Sequence, residues 1–346
     1  MTALRSGRAA RNRGGAAAQR VLIDTDCGVD DAVAAAILLS NPATAVAGIG
    51  TTDGNCSASQ AAINVTRLLA CAGCADTPLS VGTPSLPLRT VSPHGSDGFG
   101  DVYDRSISPR ATTESPSQRI VRSGRERPGE LVLLALGPLT NLAAALDLDA
   151  NALRRFRRVV ICGGMGFRDE AAVVRQRYPE YLVKGDTNTA LNPDATERVV
   201  QAPGTFTWIG MNVTGLFRFR VDRVCAEPPR DPLAALLREI HGKYIAHCTS
   251  YYRATEPIFT SHDGVAATLV ANPSLIRSQQ PGVPAVESLR SVSSSRPELW
   301  AQHSTAPGYP KTSQHHFVTA VNERKVADCI AAAFRGVRGG PRTVDS

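Results

Sequence analysis

Long apolar runs are missing from this sequence of 346 residues. No stretch reaches the roughly 18 consecutive apolar residues that a membrane-spanning helix needs, so no membrane partner is expected. The arginine-rich start runs into Gly-Gly-Ala-Ala-Ala instead of the apolar segment of about 7–15 residues that marks a secretory signal. Also absent are a GxxxxGK[ST] loop, a GxGxxG fingerprint, an internal repeat, a domain linker and any His/Cys group with zinc spacing. The eight cysteines, at 27, 56, 71, 74, 162, 225, 248 and 329, lack the framework spacing of a small secreted domain. Reduced thiols and a cytoplasmic location are the expectation.

A net charge of +7 invites a nucleic-acid reading until its distribution is considered. Residues 1–20 hold five arginines and no acid, and residues 335–346 hold three arginines and one aspartate. These ends account for eight of the 38 basic and one of the 31 acidic residues, leaving thirty of each between them. The middle is neutral, so no nucleic-acid partner is expected. Residues 1–20 are read as a disordered basic tail, 336–346 as a flexible C-terminal tail, and 21–335 as one domain. At 42% apolar, 5% aromatic and 20% charged, the composition is globular.

The first ordered segment is an apolar strand at 21–23, followed by an acidic loop and an Ala/Ile/Leu helix over 32–40. A second strand is predicted at 44–50, a polar loop at 51–57 and a helix over 58–72. Two such units in tandem imply a parallel sheet. Further buried strands are predicted at 131–136, 158–162 and 205–209, with a helix over 139–147. The last third is expected to hold helices at 231–247, at 264–271 and from 323 to about 335, and a strand at 314–321. The fold class is therefore α/β, a single domain with an open, mostly parallel, Rossmann-like sheet flanked by helices. Segments 82–128 and 165–190 read as long polar excursions from strand ends, where α/β folds build their sites.

The strongest chemical signal follows the first strand. Four aspartates, Asp24, Asp26, Asp30 and Asp31, fall within eight residues. Helix capping accounts for Asp30 and Asp31. The remaining repulsion calls for a hard cation, and oxygen ligands suit Ca2+ or Mg2+. His262-Asp263, leading into an apolar helix, is either an N-cap or a distant ligand paired with a titratable acid. Asp and Asn recur at the other strand ends, in Thr51-Thr52-Asp53-Gly54-Asn55, His94-Gly95-Ser96-Asp97-Gly98-Phe99-Gly100, Leu136-Gly137-Pro138-Leu139-Thr140-Asn141 and Gly185-Asp186-Thr187-Asn188. Such a rim suits sugar hydroxyls better than phosphate.

Read together, these motifs resemble the inosine-uridine-preferring nucleoside hydrolases. The stretch from Val21 to Ala32 is similar to that family's DTDPGxDDAxA signature, 94–100 to HGxDGLG, 136–141 to GPLTN, and Cys162-Gly163-Gly164 to MGG. The family order holds over roughly residues 20–335. The resemblance implies the nucleoside hydrolase fold, hydrolysis of the N-glycosidic bond of a ribonucleoside to ribose and free base, and a bound Ca2+. It implies Asp26, Asp31, Asp263 and the carbonyl of Leu136 as metal ligands, Asp26 also as general base, and Asp24 as support for the metal loop. Asp30, Asn55, Asp186 and Asn188 match ribose-binding positions. His262 matches the leaving-group acid, with His94 a second candidate, and Tyr251-Tyr252-Arg253 is similar to a segment that closes over the base. Relatives of this kind form homodimers or homotetramers.

Departures from the pattern are Cys27 for Pro, Cys162 for Met, Asp186 for Glu and Thr187 for an aromatic; the region near 180 lacks the family's Gly-Asn. Cys71-Ala72-Gly73-Cys74 reads as a helix end instead of a redox pair. The competing readings are a non-catalytic nucleoside or sugar sensor and a haloacid-dehalogenase-type phosphatase. The latter fits the DxD after an apolar strand but not the immediate Asp30-Asp31 pair.

Overall fold

The computed structural model describes residues 18–86, 92–102, 104, 106–170, 186–288, 297–302 and 313–336. The region near 180 and most of both tails lie outside the described residues. The strands, in chain order, are β1 (Gln19–Thr25), β2 (Thr44–Thr51), β3 (Leu79–Ser80), β4 (Leu131–Ala135), β5 (Arg158–Cys162), β6 (Gly204–Ile209), β7 (Phe219–Arg220), β8 (Ile258–Phe259), β9 (Ile276–Pro281), β10 (Val283–Ser288), β11 (Pro297–Gln302) and β12 (Ser313–Val321). β1 thus starts at Gln19, inside the segment expected to be tail.

Eight strands form one sheet in the order β3-β2-β1-β4-β5-β6-β12-β9. All neighbours pair parallel except β9, which runs antiparallel along β12. Strand order reverses beside β1, with β2 on one side and β4 on the other. That is the switch point at which α/β sheets open a crevice at the carboxyl ends of their strands.

Side-chain alternation along each strand divides the core in two. Val21, Ile23, Val132 and Leu134 face the helices Val29–Ser40, Pro232–Ile240, His262–Ala271 and Glu323–Arg335. Leu22, Leu131, Leu133, Val159 and Ile161 face the helices Pro116–Glu126, Thr140–Leu148 and Pro193–Gln201. With both faces covered, β1, β4 and β5 carry unbroken apolar runs, and together with β2 and β6 they fall within two residues of the predicted bounds.

Three expectations need correction. The helix predicted at 231–247 is two, Pro232–Ile240 and Gly242–Tyr251, broken at His241. Apolar spacing continues through the break, so periodicity alone joins them. Gly100, at φ +71°, packs so close there that a Cβ would come within 2.4 Å of the Ile240 carbonyl. The segment 82–128 carries the helix Pro116–Glu126, announced by Ser115 and Gln118 in a capping box with Pro116 in the first turn. Finally, β9 and the β10–β11 hairpin lie between 276 and 302, where no strand was expected.

The Cys71–Cys74 pair does end a helix, and all eight cysteines are free thiols. Among the described residues no helix is long and apolar enough to cross a membrane.

Cys27 occupies the left-handed region at φ +48°, and its N–H donates to Thr25 Oγ1 at 3.0 Å. Proline, fixed near −65° and lacking an N–H, satisfies neither condition. Cys27→Pro is therefore expected to destabilise the protein by about 3 kcal/mol. A melt with an unchanged midpoint would contradict the loop conformation.

A second expectation concerns His315 on β12. Its Nδ1 accepts from Trp208 Nε1 at 2.9 Å, its ring stacks on Phe206 at 4.6 Å, and burial pushes its pKa down to about 4. A depressed histidine pKa favours the folded state above the unfolded value of about 6.5 and loses that contribution as pH falls toward 4. His315→Phe should cost stability at pH 7, and its deficit relative to wild type should shrink by about 2 kcal/mol at pH 5 in paired urea titrations.

Candidate active site

At the end of β1 the chain must turn sharply and start the helix Val29–Ser40, and its own carboxylates supply much of the bonding. Asp31 accepts the Gly28 N–H at 2.8 Å with one oxygen and the Thr25 hydroxyl with the other, so the N3 side chain satisfies the N-cap N–H as in one half of a capping box. Asp26 accepts both the backbone N–H of Asn55, at 2.8 Å, and its side-chain amide, at 3.1 Å. Gly54 makes this approach possible, since a Cβ there would sit 2.0 Å from Asp26 Oδ2. Asp24 accepts from Asn141 Nδ2 at 2.8 Å, and that same amide binds the Thr51 carbonyl, tying β1, β2 and the turn after β4 together. Asp24 Oδ2 is buried with no partner among the described residues.

Asp263 comes from the far end of the chain. It lies in the first turn of His262–Ala271, and its carboxylate meets the Cys162 thiol at the end of β5. Ligand oxygens of Asp30, Asp31 and Asp263 fall within 4.8 Å of one another, all three side chains being buried. Asp26 is linked to the group through Asn55, whose amide also reaches Asp31 at 3.5 Å.

Burial and mutual repulsion show in the titration of these groups. Burial is the main cause holding Asp31 and Asp263 well above the usual carboxylate range, with their acidic neighbours adding to it. Burial likewise raises Asp26 to about 6 and Asp24 to about 7, and it raises Asp30. Among the described residues, none of the hydrogen bonds that Asp24, Asp26, Asp30 and Asp31 accept comes from a lysine or arginine.

The other predicted residues gather around this group. Leu136 donates its N–H to the Asp24 carbonyl at 2.8 Å, and its own carbonyl accepts from Asn188 Nδ2 at 2.7 Å. Asn188 reaches the Cys162 carbonyl as well, at 3.0 Å, so it spans the ends of β4 and β5. Asp186 caps the short helix Thr187–Ala190. Its Oδ2 takes the N–H groups of Gly164 and Thr189 and the Thr189 hydroxyl, while Oδ1 takes the Asn188 N–H at 3.2 Å. Most of its accepting capacity is used within the protein.

Two histidines border the carboxylates. His262 donates its backbone N–H to Asp30 at 3.2 Å, and its Nδ1 lies 2.9 Å from the Thr214 hydroxyl. Burial lowers its pKa to about 4, against the opposing pull of Asp30. His94 Nδ1 accepts the Val29 N–H at 3.2 Å, lies 3.8 Å from Asp30 Oδ1, and its ring stacks on Tyr244. The Tyr251-Tyr252-Arg253 segment ends the helix Gly242–Tyr251, where the Arg218 guanidinium lies 3.8 Å over the Tyr252 ring.

Several supporting residues were not legible as such. Asn64 donates to the carbonyls of Asp97, at 2.7 Å, and Cys27, at 3.3 Å, locking the 92–101 loop onto the acidic loop. Thr214 and Tyr244 arrive through tertiary packing. The only sequence hint for Asn64 was a polar residue on the buried face of the helix Ala58–Cys71.

Comparison with known proteins agrees with this geometry. The profile described as inosine-uridine preferring nucleoside hydrolase matches residues 21–328. Uridine nucleosidase 1 of Arabidopsis thaliana is 29% identical over 273 residues, covering 74% of this chain and 75% of the relative. The non-specific ribonucleoside hydrolase RihC of Klebsiella pneumoniae is 28% identical over 230 residues, 65% of this chain and 71% of the relative. Among solved structures, a plant nucleoside hydrolase, PpNRh1, superposes with a TM-score of 0.78 at 23% identity, over 92% of this chain and 99% of that one. The profile match takes in every strand end that contributes to the acidic crevice, and the chain belongs to the inosine-uridine preferring nucleoside hydrolases, hydrolases acting on the N-glycosidic bond of ribonucleosides.

Proposed function

We propose that this protein hydrolyses ribonucleosides, uridine and inosine among them, to ribose and free base in a Ca2+-dependent reaction with Asp26 as general base. The observation that carries the reading is the convergence of Asp30, Asp31 and Asp263 within 4.8 Å in a buried position. Charges so close and so desolvated repel one another unless a cation offsets them. Hard carboxylate oxygens suit Ca2+ or Mg2+, so the donor set fits such an ion. In this reading Asp26, Asp31 and Asp263 hold it together with the Leu136 carbonyl. When bound, the ion supplies positive charge that offsets the cluster and makes neighbouring water more acidic.

The chain's own groups then divide the work. Asp26 takes a proton from water as the water oxygen bonds to C1′ and the C1′–N bond breaks, its electron pair leaving with the base. Positive charge develops on the ribosyl group, and the carboxylates of Asp26 and Asp30 stabilise it. Asp30, Asn55 and Asn188 bind ribose hydroxyls. Asp186 joins them through what acceptor capacity Oδ1 retains, and it also orients Asn188. His262, neutral near pH 7 because it is buried, serves the departing base through its ring N–H, with His94 beside it. The names of relatives, a uridine nucleosidase and a non-specific ribonucleoside hydrolase, support this substrate class. Residues 21–335 act as one catalytic domain, and a homodimer or homotetramer in the cytoplasm is the setting proposed. Eight free thiols are compatible with a reducing compartment.

Asp26→Asn is expected to lower kcat on uridine or inosine by about 10²–10⁴-fold while the protein still folds and melts cooperatively. Ribose release, measured as reducing sugar, checks the first part and calorimetry the second. Turnover near wild type would remove Asp26 from its role. Phosphatase activity, or tight nucleoside binding without turnover, would replace the hydrolase reading altogether.

Metal dependence has a readout separate from catalysis. Ca2+ at about 100 times its Kd should stabilise the fold by about 2.7 kcal/mol, and Asp263→Asn should abolish that gain. A melting temperature indifferent to Ca2+ and to chelator would contradict the ligand assignment.

A further inference from the structure

Tyr244 belongs to no motif and to no role assigned above, yet it touches both histidine-bearing segments of the site. We infer that Tyr244 is a positioning residue that fixes the His94 ring for its part in base departure, an inference that rests on the hydrolytic reading. The Tyr244 side chain is buried, and its ring stacks on His94 with centroids 4.7 Å apart and planes 24° from parallel. Its hydroxyl is bonded to Thr260 Oγ1 at 2.7 Å, two residues before His262. Behind it, the His241 ring meets Tyr244 nearly edge-on, at 6.2 Å and 82°, and is itself anchored by Nδ1 to the Leu237 carbonyl at 2.6 Å.

His94 is therefore held from two directions. The Val29 N–H occupies Nδ1 as an acceptor, which leaves the ring proton on Nε2 of the neutral imidazole. Stacking on Tyr244 restricts rotation of the ring about its Cβ–Cγ bond, which the hydrogen bond from Val29 does not do by itself. An N–H donor contributes to catalysis only when it is held within hydrogen-bonding reach of the group it serves, so loss of the stack removes aim without removing the donor. Tyr244 also couples the 92–101 loop to the 258–263 segment, placing His94 and His262 in one rigid unit.

Two substrates separate positioning from mere folding. A nucleoside needs help at its departing base, whereas p-nitrophenyl β-ribofuranoside expels a stable phenolate that needs none. Tyr244→Leu is expected to lower kcat on uridine or inosine about tenfold or more, with KM changed less than about threefold and p-nitrophenyl riboside turnover nearly unchanged. Tyr244→Phe, which keeps the ring, should recover most of the loss. In a His94→Ala background, Tyr244→Leu should add little, since the two act as a unit. Equal losses on both substrates, or additive losses in the double variant, overturn the inference. Should Tyr244→Leu fail to fold, Tyr244→Met carries the same comparison. Failure of the unaltered protein to cleave either substrate would instead overturn the hydrolytic reading, and this inference with it.

Discussion

Asp26, Asp30, Asp31 and Asp263 are buried against one another where β1 gives way to a helix, and the surrounding backbone is shaped by the need to bring donors to them. Gly54 brings the Asn55 N–H up to Asp26, Gly28 offers its N–H to Asp31, and the His262 N–H reaches Asp30 across 232 residues of chain. Each of these bonds favours the ionised carboxylate, while burial opposes it. The raised pKa values show that burial prevails in the protein alone. Nearby positive charge would relieve that cost, which is the basis of the metal and ribosyl roles proposed for the cluster.

The sheet supplies the crevice for this arrangement. Because strand order reverses beside β1, the loops after β2 and β4 lie on either side of it, at the carboxyl ends where such sheets open a crevice. Asn141 and Asn188 tie neighbouring strand ends together. Asn141 joins Asp24 to the Thr51 carbonyl, and Asn188 joins the carbonyls of Leu136 and Cys162. The ends of four adjacent strands are thus joined by side-chain hydrogen bonds under the carboxylates.

Legibility of the fold followed burial. Strands covered on both faces are apolar throughout and stand out in the sequence, as in Leu131–Ala135. The edge strand β9, Ile-Arg-Ser-Gln-Gln-Pro, is largely exposed and carries no such pattern. Helix continuity failed at His241 for a different reason, since the apolar stripe runs on through a break imposed by a loop about 140 residues away. At the site, the carboxylates were legible because helix capping explains only two of the four aspartates at 24–31. Their partners were not: Asn64, Thr214 and Tyr244 are ordinary residues on ordinary helices until tertiary contact gives them a role.

The departures from the family pattern fall on this same hydrogen-bonding problem. Cys162 stands where a methionine is usual, and its thiol, unlike a thioether, donates to Asp263. Cys27 stands where a proline is usual, and its N–H, which a proline lacks, donates to Thr25, whose hydroxyl in turn donates to Asp31. Cys56, on the adjoining loop, directs its thiol at the Asp26 carbonyl at 3.5 Å. Burial raises the pKa of all three thiols well above normal, so they are protonated and able to donate. Two substitutions that look like erosion of a signature therefore each add a donor to the network around the acidic cluster, and the carboxylates that define the chemistry are left in place.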